Sequence, residues 1–351
     1  MSYLSSEDDV APLLYCERPE WQDVTPISQY EAVSSPIAPI FYTPEYKDAT
    51  NYFRGVVKTG ETSERVLELT ERIIRMNPAH YSAWQYRYRT LLATNAPLDV
   101  ELKLMDQIAA HNMKTYQVWH HRRLLITQLT SASLAKDPVD TATAELEFIG
   151  NVLALDTKNY HTWSYRQWLL AHFDDAGLWL GELPYVDDLL LEDVRNNSAW
   201  HHRYFVVFGR GSRSQATPAE EGEVLQREIR YVKDKISVAP NNPSAWNYLR
   251  GILEYSNTPF STLLPFTEPY TRAYVQPTDD VVDLDNPKPS SDATLPCVAA
   301  LDFLAEAYVR AGGDGVGKAV ELWKQLANEH DTMRKKYWEY RIKEALEGKT
   351  N

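Results

Sequence analysis

Adjacent histidines are the first residues in this sequence whose type suggests chemistry, because imidazole is a common metal ligand. They occur as two pairs, His120-His121 and His201-His202. Side chains at neighbouring positions of a helix do not face each other, and a structural zinc site needs cysteine and histidine ligands at characteristic spacing. We therefore expect this chain to bind no metal of its own.

A tryptophan-centred motif recurs five times and carries the fold prediction. In each copy an arginine follows the tryptophan, three positions later in the first four copies and four positions later in the last. The tryptophans are Trp84, Trp119, Trp163, Trp200 and Trp246, with spacings of 35, 44, 37 and 46 residues. Periods of this length fit one helical hairpin per repeat.

The residues before each tryptophan indicate where a helix begins. A polar residue lies four positions before it, and Thr or Asn there can accept hydrogen bonds from the free N–H groups of a first helical turn. In the fifth copy the next residue is Pro243, and proline is best tolerated at the first helical position. The predicted capping residues are His80, Thr115, Asn159, Asn196 and Asn242.

The tryptophan and arginine of each copy lie on one side of their helix, since residues three apart are neighbours on a helix surface. A binding residue need not recur in every hairpin, so the repetition favours a scaffold role. We predict that the tryptophans are core residues and that the arginines bond to carbonyls or carboxylates between hairpins. The basic pair Arg122-Arg123 is likewise more typical of a solvated or ion-paired face than of a phosphate site.

A second helix precedes each motif. Examples are residues 63–76 and 145–155, where apolar residues recur at helical spacing and mark an amphipathic face. In the first they are Val66, Leu69, Ile73 and Ile74, and in the second Leu146, Ile149 and Leu153. The repeating unit is therefore an antiparallel helical hairpin, and stacked hairpins form a curved α-solenoid. The predicted fold class is all-α.

Proline marks the boundaries of the helical region, because it disrupts helix interiors. Of the 20 prolines, six fall in residues 1–44 and seven in residues 258–297. We assign residues 1–40 to a flexible N-terminal tail, 41–345 to the helical-hairpin repeat domain and 346–351 to a C-terminal tail. Within the repeat domain, 258–297 is predicted to be a Pro-rich acidic insertion whose centre is solvated.

Composition excludes several classes of function. The 351 residues include 36 Lys plus Arg and 49 Asp plus Glu, a formal charge of −13, which argues against a general nucleic-acid binder. No apolar run is long enough to span a membrane, and the first residues do not resemble a secretory signal. The two cysteines, Cys16 and Cys297, form no CxxC pair, which favours a reducing compartment. We expect a cytoplasmic protein.

The motif Asn/Thr-Tyr-x-x-Trp-x-x-Arg resembles the prenyltransferase α-subunit repeat. The best matches lie at residues 114–123, 158–168 and 192–200, and residues 336–341 are similar to the same family. The resemblance covers about residues 40–257 and 298–345. It points to the α subunit that protein farnesyltransferase and protein geranylgeranyltransferase type I share.

This resemblance implies an enzyme that works as a heterodimer. The α subunit would be a right-handed superhelical crescent of hairpins around a β subunit. The β subunit would hold Zn²⁺, with Mg²⁺ expected for farnesyl transfer, and this chain would bind neither. The reaction would transfer a farnesyl or geranylgeranyl group from its diphosphate to the cysteine thiol of a C-terminal CaaX motif, in proteins such as small GTPases.

The resemblance also implies which residues meet the prenyl diphosphate. Lys114 matches a lysine that reaches the diphosphate, where an ammonium would stabilise the departing leaving group. Tyr116, and a second set of Asn159, Tyr160 and His161, match residues beside the same diphosphate. Lys114 and Tyr160 are the expected catalytic residues. The alternatives are a surface lysine before a helix and tyrosines that pack on the neighbouring hairpin.

Two further residues match the peptide site of the family. Gln117 matches a glutamine whose amide binds the terminal carboxylate of the CaaX peptide, and an amide can donate there without a counter-charge. Tyr81 matches a residue near the peptide or exit region. An exposed helix residue is the alternative reading of Gln117.

Two other functions remain open at this stage. The chain could be the α subunit of Rab geranylgeranyltransferase, which has a different β partner. It could also be a non-enzymatic scaffold of the tetratricopeptide kind, although that repeat has a period of 34 and the spacings of 44 and 46 depart from it. The sequence does not distinguish farnesyl from geranylgeranyl transfer.

Overall fold

The computed structural model describes residues 13–33, 35–131, 137–209, 217–273 and 283–348, and all regular secondary structure within these ranges is helical. The chain divides into two compact units, residues 1–173 and 174–351. None of the helices in the described ranges is long and apolar enough to cross a membrane.

The first unit is built from helical hairpins whose partners are sequential in the chain. After α1, helix α2 packs against α3, α4 against α5 and α6 against α7. Its helices are α1 (Pro44–Thr59), α2 (Glu64–Met76), α3 (Tyr81–Ala93), α4 (Leu98–His111), α5 (Tyr116–Leu129), α6 (Pro138–Leu155) and α7 (Tyr160–Phe173).

The second unit continues the pattern. Helix α9 packs against α10 and α11 against α12, and α14, α15 and α16 pack in succession. Its helices are α8 (Ala176–Leu180), α9 (Glu182–Glu192), α10 (Asn197–Phe208), α11 (Pro218–Val238), α12 (Pro243–Tyr255), α13 (Leu264–Thr267), α14 (Val298–Ala311), α15 (Gly315–Gln325) and α16 (Lys335–Leu346).

Each of the five motifs opens a helix, as the sequence predicts. The Asn159 side chain accepts from the Thr162 N–H at 3.1 Å, and Asn196 accepts from the N–H groups of the second and third residues of α10. Thr115 differs, because its side chain makes no capping hydrogen bond. His80 and Asn242 cap α3 and α12 through a ring nitrogen and an amide oxygen.

The preceding helices also match their patterns. Helix α2 begins at Glu64 with Ser63 as its N-cap, and the four apolar residues of its predicted face are fully buried. Helix α6 is longer than the predicted segment, since it begins at Pro138 with a cap from Asp137. Ile149 and Leu153 of its predicted face are buried.

The motif tryptophans are buried and make the same hydrogen bond in all five repeats. Each indole N–H donates to the backbone carbonyl six residues earlier, in the turn between the two helices of the hairpin. For Trp84 and Trp119 the acceptors are Pro78 and Met113, at 2.8 and 2.7 Å. The remaining three bonds, from Trp163, Trp200 and Trp246, measure 2.8–2.9 Å. The core prediction is confirmed, and the bond fixes the hairpin turn to its second helix.

Four of the motif arginines link one hairpin to the next. Arg87 on α3 donates Nε and Nη2 to the two carboxylate oxygens of Glu101 on α4, at 2.7 and 2.6 Å. Arg122 and Glu145 repeat this arrangement across α5 and α6. Bidentate pairs of this kind are strong and geometrically specific. The same link recurs as Arg203–Glu228 and, to two carboxylates, as Arg250–Glu306 and Arg250–Asp302.

Glu101, Glu145 and Glu228 each bind a second side chain, from their own hairpin. It is the residue two positions after the tryptophan, to which the sequence analysis gave no scaffold role. Tyr165 Oη donates to Glu145 at 2.6 Å and Tyr248 Oη to Glu228 at 2.7 Å. In α5 the ligand is His121, one of the histidines considered for metal binding, and it serves the scaffold instead.

The predicted N-terminal tail is packed over part of its length. Tyr15, Trp21 and Val24 are buried in the core of the first unit. The Tyr15 N–H donates to Asp48 on α1 at 2.6 Å, and Arg65 on α2 forms an ion pair with Asp23. Proline density excludes long helices from this segment, but it does not prevent aromatic side chains from covering the end of the first hairpin. Residues 1–12 lie outside the described residues.

The predicted insertion at 258–297 has a packed beginning and end. Phe266, Tyr270 and Cys297 are buried in the core of the second unit, and Tyr270 Oη donates to the Pro287 carbonyl at 2.7 Å. Residues 274–282, near the predicted solvated centre, lie outside the described residues. The apolar residues between the prolines therefore anchor both ends of this segment.

Candidate functional site

The candidate residues of the diphosphate site lie at the N-termini of α5 and α7. Tyr116 and Tyr160 are the first residues of these helices and are 66% and 67% exposed. The Tyr116 ring meets the imidazole of His161 edge to face, with 4.2 Å between ring centroids. Tyr160 contacts the same imidazole at 5.4 Å. The structure therefore brings three of the predicted residues together, and both tyrosines stay largely exposed although Tyr116 packs on His161 of the next hairpin.

Lys114 lies just before α5, and its side chain is 77% exposed. Its Nζ is 3.4 Å from Oδ2 of Asp156, the residue that follows α6. An exposed ion pair at this distance contributes little, because water screens it and both side chains lose freedom. The ammonium is therefore free to move to a more highly charged anion.

The donors of this cluster suit an anionic ligand. Burial lowers the pKa of His161 from its usual value, so the imidazole is neutral at neutral pH and donates through one ring nitrogen. Tyr116 and Tyr160 are largely exposed and carry hydroxyl donors, and the N-termini of α5 and α7 add positive potential. Together with Lys114 these groups can bind phosphate oxygens.

Asn159 does not join this cluster. It is buried, and its amide oxygen is the acceptor that caps α7. The resemblance to the prenyltransferase family placed it in the diphosphate site together with Tyr160. In this structure its cap fixes where α7 begins and hence where Tyr160 and His161 point.

The two predicted peptide-site residues line one groove between α3 and α5. The groove has a volume of about 440 Å³, and both Tyr81 and Gln117 line it. Tyr81 is 73% exposed, and Gln117 is half-buried at the rim. Tyr116 also lines it, so the groove and the diphosphate cluster share a residue.

Sequence reasoning missed the rest of this groove. Its walls continue along both helices with Gln85, Tyr88, His120 and Leu124. Gln85 and Tyr88 follow Tyr81 at i+4 and i+7, a spacing that places residues on one side of a helix. That spacing was available in the sequence, but the groove depends on which faces of α3 and α5 stay uncovered.

The motif histidines were the first candidates for metal ligands. Among the described residues no three His, Cys, Asp or Glu side chains are grouped so that they could hold a metal ion. The histidines of the motif are divided between the groove, where His120 lies, and the scaffold. His121 and His202 are buried and lie 2.9 and 2.7 Å from glutamate oxygens.

Comparison with known proteins identifies the repeats. The family described as "Protein prenyltransferase alpha subunit repeat" matches residues 63–94, 98–129, 142–173, 179–209 and 225–256. Each of these five segments contains one of the motif tryptophans.

Relatives match over most of the chain. The "Protein farnesyltransferase/geranylgeranyltransferase type-1 subunit alpha" of Dictyostelium discoideum is 38% identical over 74% of this chain and 77% of its own length. The protein of the same name from Candida albicans is 32% identical over 92% of this chain and 96% of its own. A solved structure, "Candida albicans protein geranylgeranyltransferase-I complexed with GGPP", matches with a TM-score of 0.73 and 31% identity, covering 92% of this chain and 97% of that one.

Proposed function

The chain belongs to the protein prenyltransferase alpha subunit family, and from this premise we propose that it is the α subunit of a heterodimeric protein prenyltransferase. The enzyme transfers a farnesyl or geranylgeranyl group from the prenyl diphosphate to the cysteine thiol of a C-terminal CaaX motif, as found on small GTPases. The observation that carries the proposal is the cluster of Lys114, Tyr116, Tyr160 and His161 at two adjacent helix N-termini.

The cluster acts on the leaving group. When the allylic C–O bond breaks, negative charge accumulates on the diphosphate. The Lys114 ammonium, held only weakly by Asp156, moves to that charge and stabilises the transition state more than the ground state. Tyr160 and Tyr116 donate hydroxyl hydrogen bonds, and His161 contributes its ring N–H while its two tyrosine contacts fix the orientation of the ring.

The groove between α3 and α5 receives the end of the peptide. Gln117 donates its amide N–H to the terminal carboxylate, and the apolar wall that includes Tyr81 contacts the last side chain. Tyr116 lines this groove and also contacts His161. This shared position supports a site in which the two substrates meet.

The remaining parts of the enzyme belong to the β subunit. We propose that it holds the Zn²⁺ that binds the peptide thiol, and that Mg²⁺ assists farnesyl transfer by neutralising diphosphate charge. The α chain orients the diphosphate and the peptide carboxylate. We further propose a cytoplasmic location, which suits two cysteines that are both free thiols.

Co-expression tests this function directly. The chain is produced with the β subunit of farnesyltransferase, of geranylgeranyltransferase type I or of the Rab enzyme, and each preparation is assayed for co-purification and prenyl transfer to CaaX peptides. We expect assembly and transfer with the first two β subunits and none with the third. The chain alone should show no transfer.

The controls separate catalysis from assembly. A Lys114→Ala heterodimer should assemble normally and transfer slowly, and Lys58→Ala, on the last turn of α1, should leave transfer unchanged. Assembly only with the Rab β subunit would contradict the proposal and identify the chain as the α subunit of the Rab enzyme. Peptide binding without any β partner or transfer would favour a scaffold.

A further inference from the structure

A second pocket lies between α1 and the chain segment that precedes it. Its volume is about 210 Å³, and none of the proposed substrate-binding residues lines it. The α1 wall is polar and is formed by Lys47, Thr50, Asn51 and Arg54, which follow one another at i, i+3, i+4 and i+7 and so lie on one side of the helix. Residues 28–30 and 39–42 form the opposite wall.

Arg54 in this pocket has hydrogen bonds on one nitrogen only. Nη1 donates to the Ile27 carbonyl at 3.0 Å and to Asn51 Oδ1 at 2.8 Å. Within the described residues Nε and Nη2 have no partner. In Arg87 this same Nε–Nη2 edge chelates both carboxylate oxygens of Glu101. Arg54 therefore presents the edge that this protein uses elsewhere to bind a carboxylate.

The charge of Arg54 is also uncompensated. In the described part of the chain no Asp or Glu lies within 4.0 Å of its guanidinium, and burial lowers its pKa. Guanidinium stays protonated in proteins, and a partly desolvated charge without a counter-charge is unfavourable. Lys47, exposed on the same wall, has no ion pair with a described residue either. Two cations on one pocket wall, neither in an ion pair with a described residue, are unexpected in a chain with 49 acidic and 36 basic residues.

Exposed apolar side chains occur in the segment that precedes α1, and two of them, Ile40 and Phe41, line the pocket. Phe41 is 92% exposed and Ile37 is fully exposed, and Val33 and Ile40 are about half exposed. Four such residues within positions 33–41 exceed the scattered apolar residues of an ordinary surface. Aromatic side chains and arginine are the residues enriched at the energetic centres of protein interfaces. The combination is typical of a surface that a protein partner covers.

We propose that this pocket receives an Asp or Glu side chain of the β subunit, whose carboxylate binds the Nε–Nη2 edge of Arg54. Lys47 adds a second positive charge at the rim, and Phe41 and its apolar neighbours pack against the partner around the pair. The inference rests on the proposed function, because it takes the β subunit as the occupant. A carboxylate matches the planar fork of a guanidinium in two parallel hydrogen bonds.

The test measures heterodimer stability on dilution. Wild-type and variant heterodimers are purified after co-expression, and native mass spectrometry follows the fraction of intact heterodimer across a dilution series at two salt concentrations. Arg54→Gln should raise the half-dissociation concentration at least about 30-fold, the lower end of the effect of truncating one partner of a buried charge pair. Lys47→Gln should raise it roughly 2- to 5-fold at low salt and less at high salt.

The Lys47→Gln variant keeps the test valid if Arg54→Gln misfolds. Lys47 makes no side-chain hydrogen bond or ion pair with the described residues, so Lys47→Gln removes only a charge. Arg75→Gln is the matched control, since Arg75 is exposed on α2 and, among the described residues, pairs only with Glu71. Phe41→Ser should weaken assembly, and Val100→Ser, at an exposed apolar position of α4, should not.

Each outcome decides the proposal. Weaker assembly in the Arg54, Lys47 and Phe41 variants, with controls like wild type, supports it. If all variants dissociate like wild type while prenyl transfer persists, the docking pocket is wrong and the proposed function stands. Phosphate tests the alternative of a small-anion site. If 50 mM phosphate raises the Tm of the wild type but not of Arg54→Gln, and Arg54→Gln dissociates like wild type, the pocket binds a small anion and the inference is overturned. A chain that assembles with no β subunit overturns both.

Discussion

Nε2 of His121 lies 2.9 Å from Oε1 of Glu101 in the interior of the first unit, and Arg87 binds the same carboxylate from the preceding hairpin. Burial alone would raise the pKa of Glu101, but hydrogen bonds from His121 and Arg87 outweigh it and bring the pKa to about 2. Burial lowers the pKa of His121, against the attraction of Glu101. In the folded chain Glu101 therefore prefers its ionised carboxylate form and His121 prefers its neutral imidazole form.

This pair predicts that acid destabilises the chain. Below about pH 6.5 the unfolded chain protonates His121 while the folded chain does not, so stability falls as the pH falls. Glu101 adds a second loss between about pH 4.3 and its folded pKa of about 2. Urea midpoints followed by tryptophan fluorescence at pH 7.5 and 5.5 measure the first step.

The matched variants isolate His121. His121→Gln should be less stable at pH 7.5 and should show a flatter change between the two pH values. His120→Gln, at the exposed neighbouring position, should keep the wild-type pH dependence. An unchanged slope in His121→Gln would assign the acid sensitivity to other groups.

The caps give a second prediction at equivalent positions of two repeats. Asn196 accepts from the Ser198 and Ala199 N–H groups at 3.0 and 3.3 Å, whereas the Thr115 side chain caps nothing. Asn196→Ala should lower the free energy of unfolding by about 1 kcal/mol. Thr115→Ala should change it by less than about 0.5 kcal/mol. Equal losses in urea unfolding would show that the cap geometry is not the cause.

The sequence predicted the repeats well because their signals are local. A capping residue, a tryptophan and an arginine at fixed spacing define the start and the buried side of each second helix, and α3, α5 and α7 begin where the pattern places them. The partners of the arginines are not local. Nothing in the sequence marks Glu101 rather than Asp99 as the partner of Arg87, because that choice depends on the packing of α3 against α4.

The site was predicted only in part, and for the same reason. The family resemblance placed Asn159 with Tyr160 at the diphosphate, but only the structure shows that its side chain is a buried cap of α7. The contact between Tyr116 and His161 crosses from α5 to α7, so it depends on hairpin stacking. The same applies to Tyr15 and Trp21, whose burial comes from contacts with residues far along the chain.

A buried carboxylate gives a third prediction. Glu145 is bound by Arg122 from the preceding hairpin and by Tyr165 from its own. Glu145→Gln should lower the free energy of unfolding by about 3–5 kcal/mol, because it leaves the buried Arg122 with an incomplete counter-charge. Glu321→Gln, which removes an exposed pair with Lys324, should cost at most about 1 kcal/mol. The measurement is urea unfolding of the two variants under the same conditions. Equal losses in the free energy of unfolding would contradict a stabilising role for the buried contacts of Glu145.

Gln117 provides a fourth prediction, on peptide recognition. Gln117→Ala should raise the KM for the CaaX peptide and leave prenyl diphosphate affinity near wild type, since the amide meets only the peptide carboxylate. Losing one hydrogen bond to a charged group costs about 1.5–3 kcal/mol, or roughly a 10- to 150-fold change in KM. Gln128→Ala, near the other end of α5, is the control. An unchanged peptide KM with weakened diphosphate binding would reverse the assignment.

Lys114 provides the last prediction, on the chemical step. The side chain is exposed and only loosely paired with Asp156 at 3.4 Å, so its removal should not disturb the fold. An interaction formed mainly in the transition state appears in the rate of transfer rather than in binding. Lys114→Ala should therefore lower the single-turnover rate about 10²- to 10³-fold, with a much smaller change in prenyl diphosphate affinity measured by direct titration.

Two companion variants show what Lys114 contributes. Lys114→Arg should rescue the rate poorly, because a planar guanidinium does not replace a compact ammonium. Asp156→Asn should leave the rate within a few-fold of wild type, since the exposed pair contributes little. If Lys114→Ala binds and turns over like wild type, the lysine is a surface residue. If it loses affinity and rate to the same extent, it holds the ground-state diphosphate, and the stabilisation of the leaving group must come from another group.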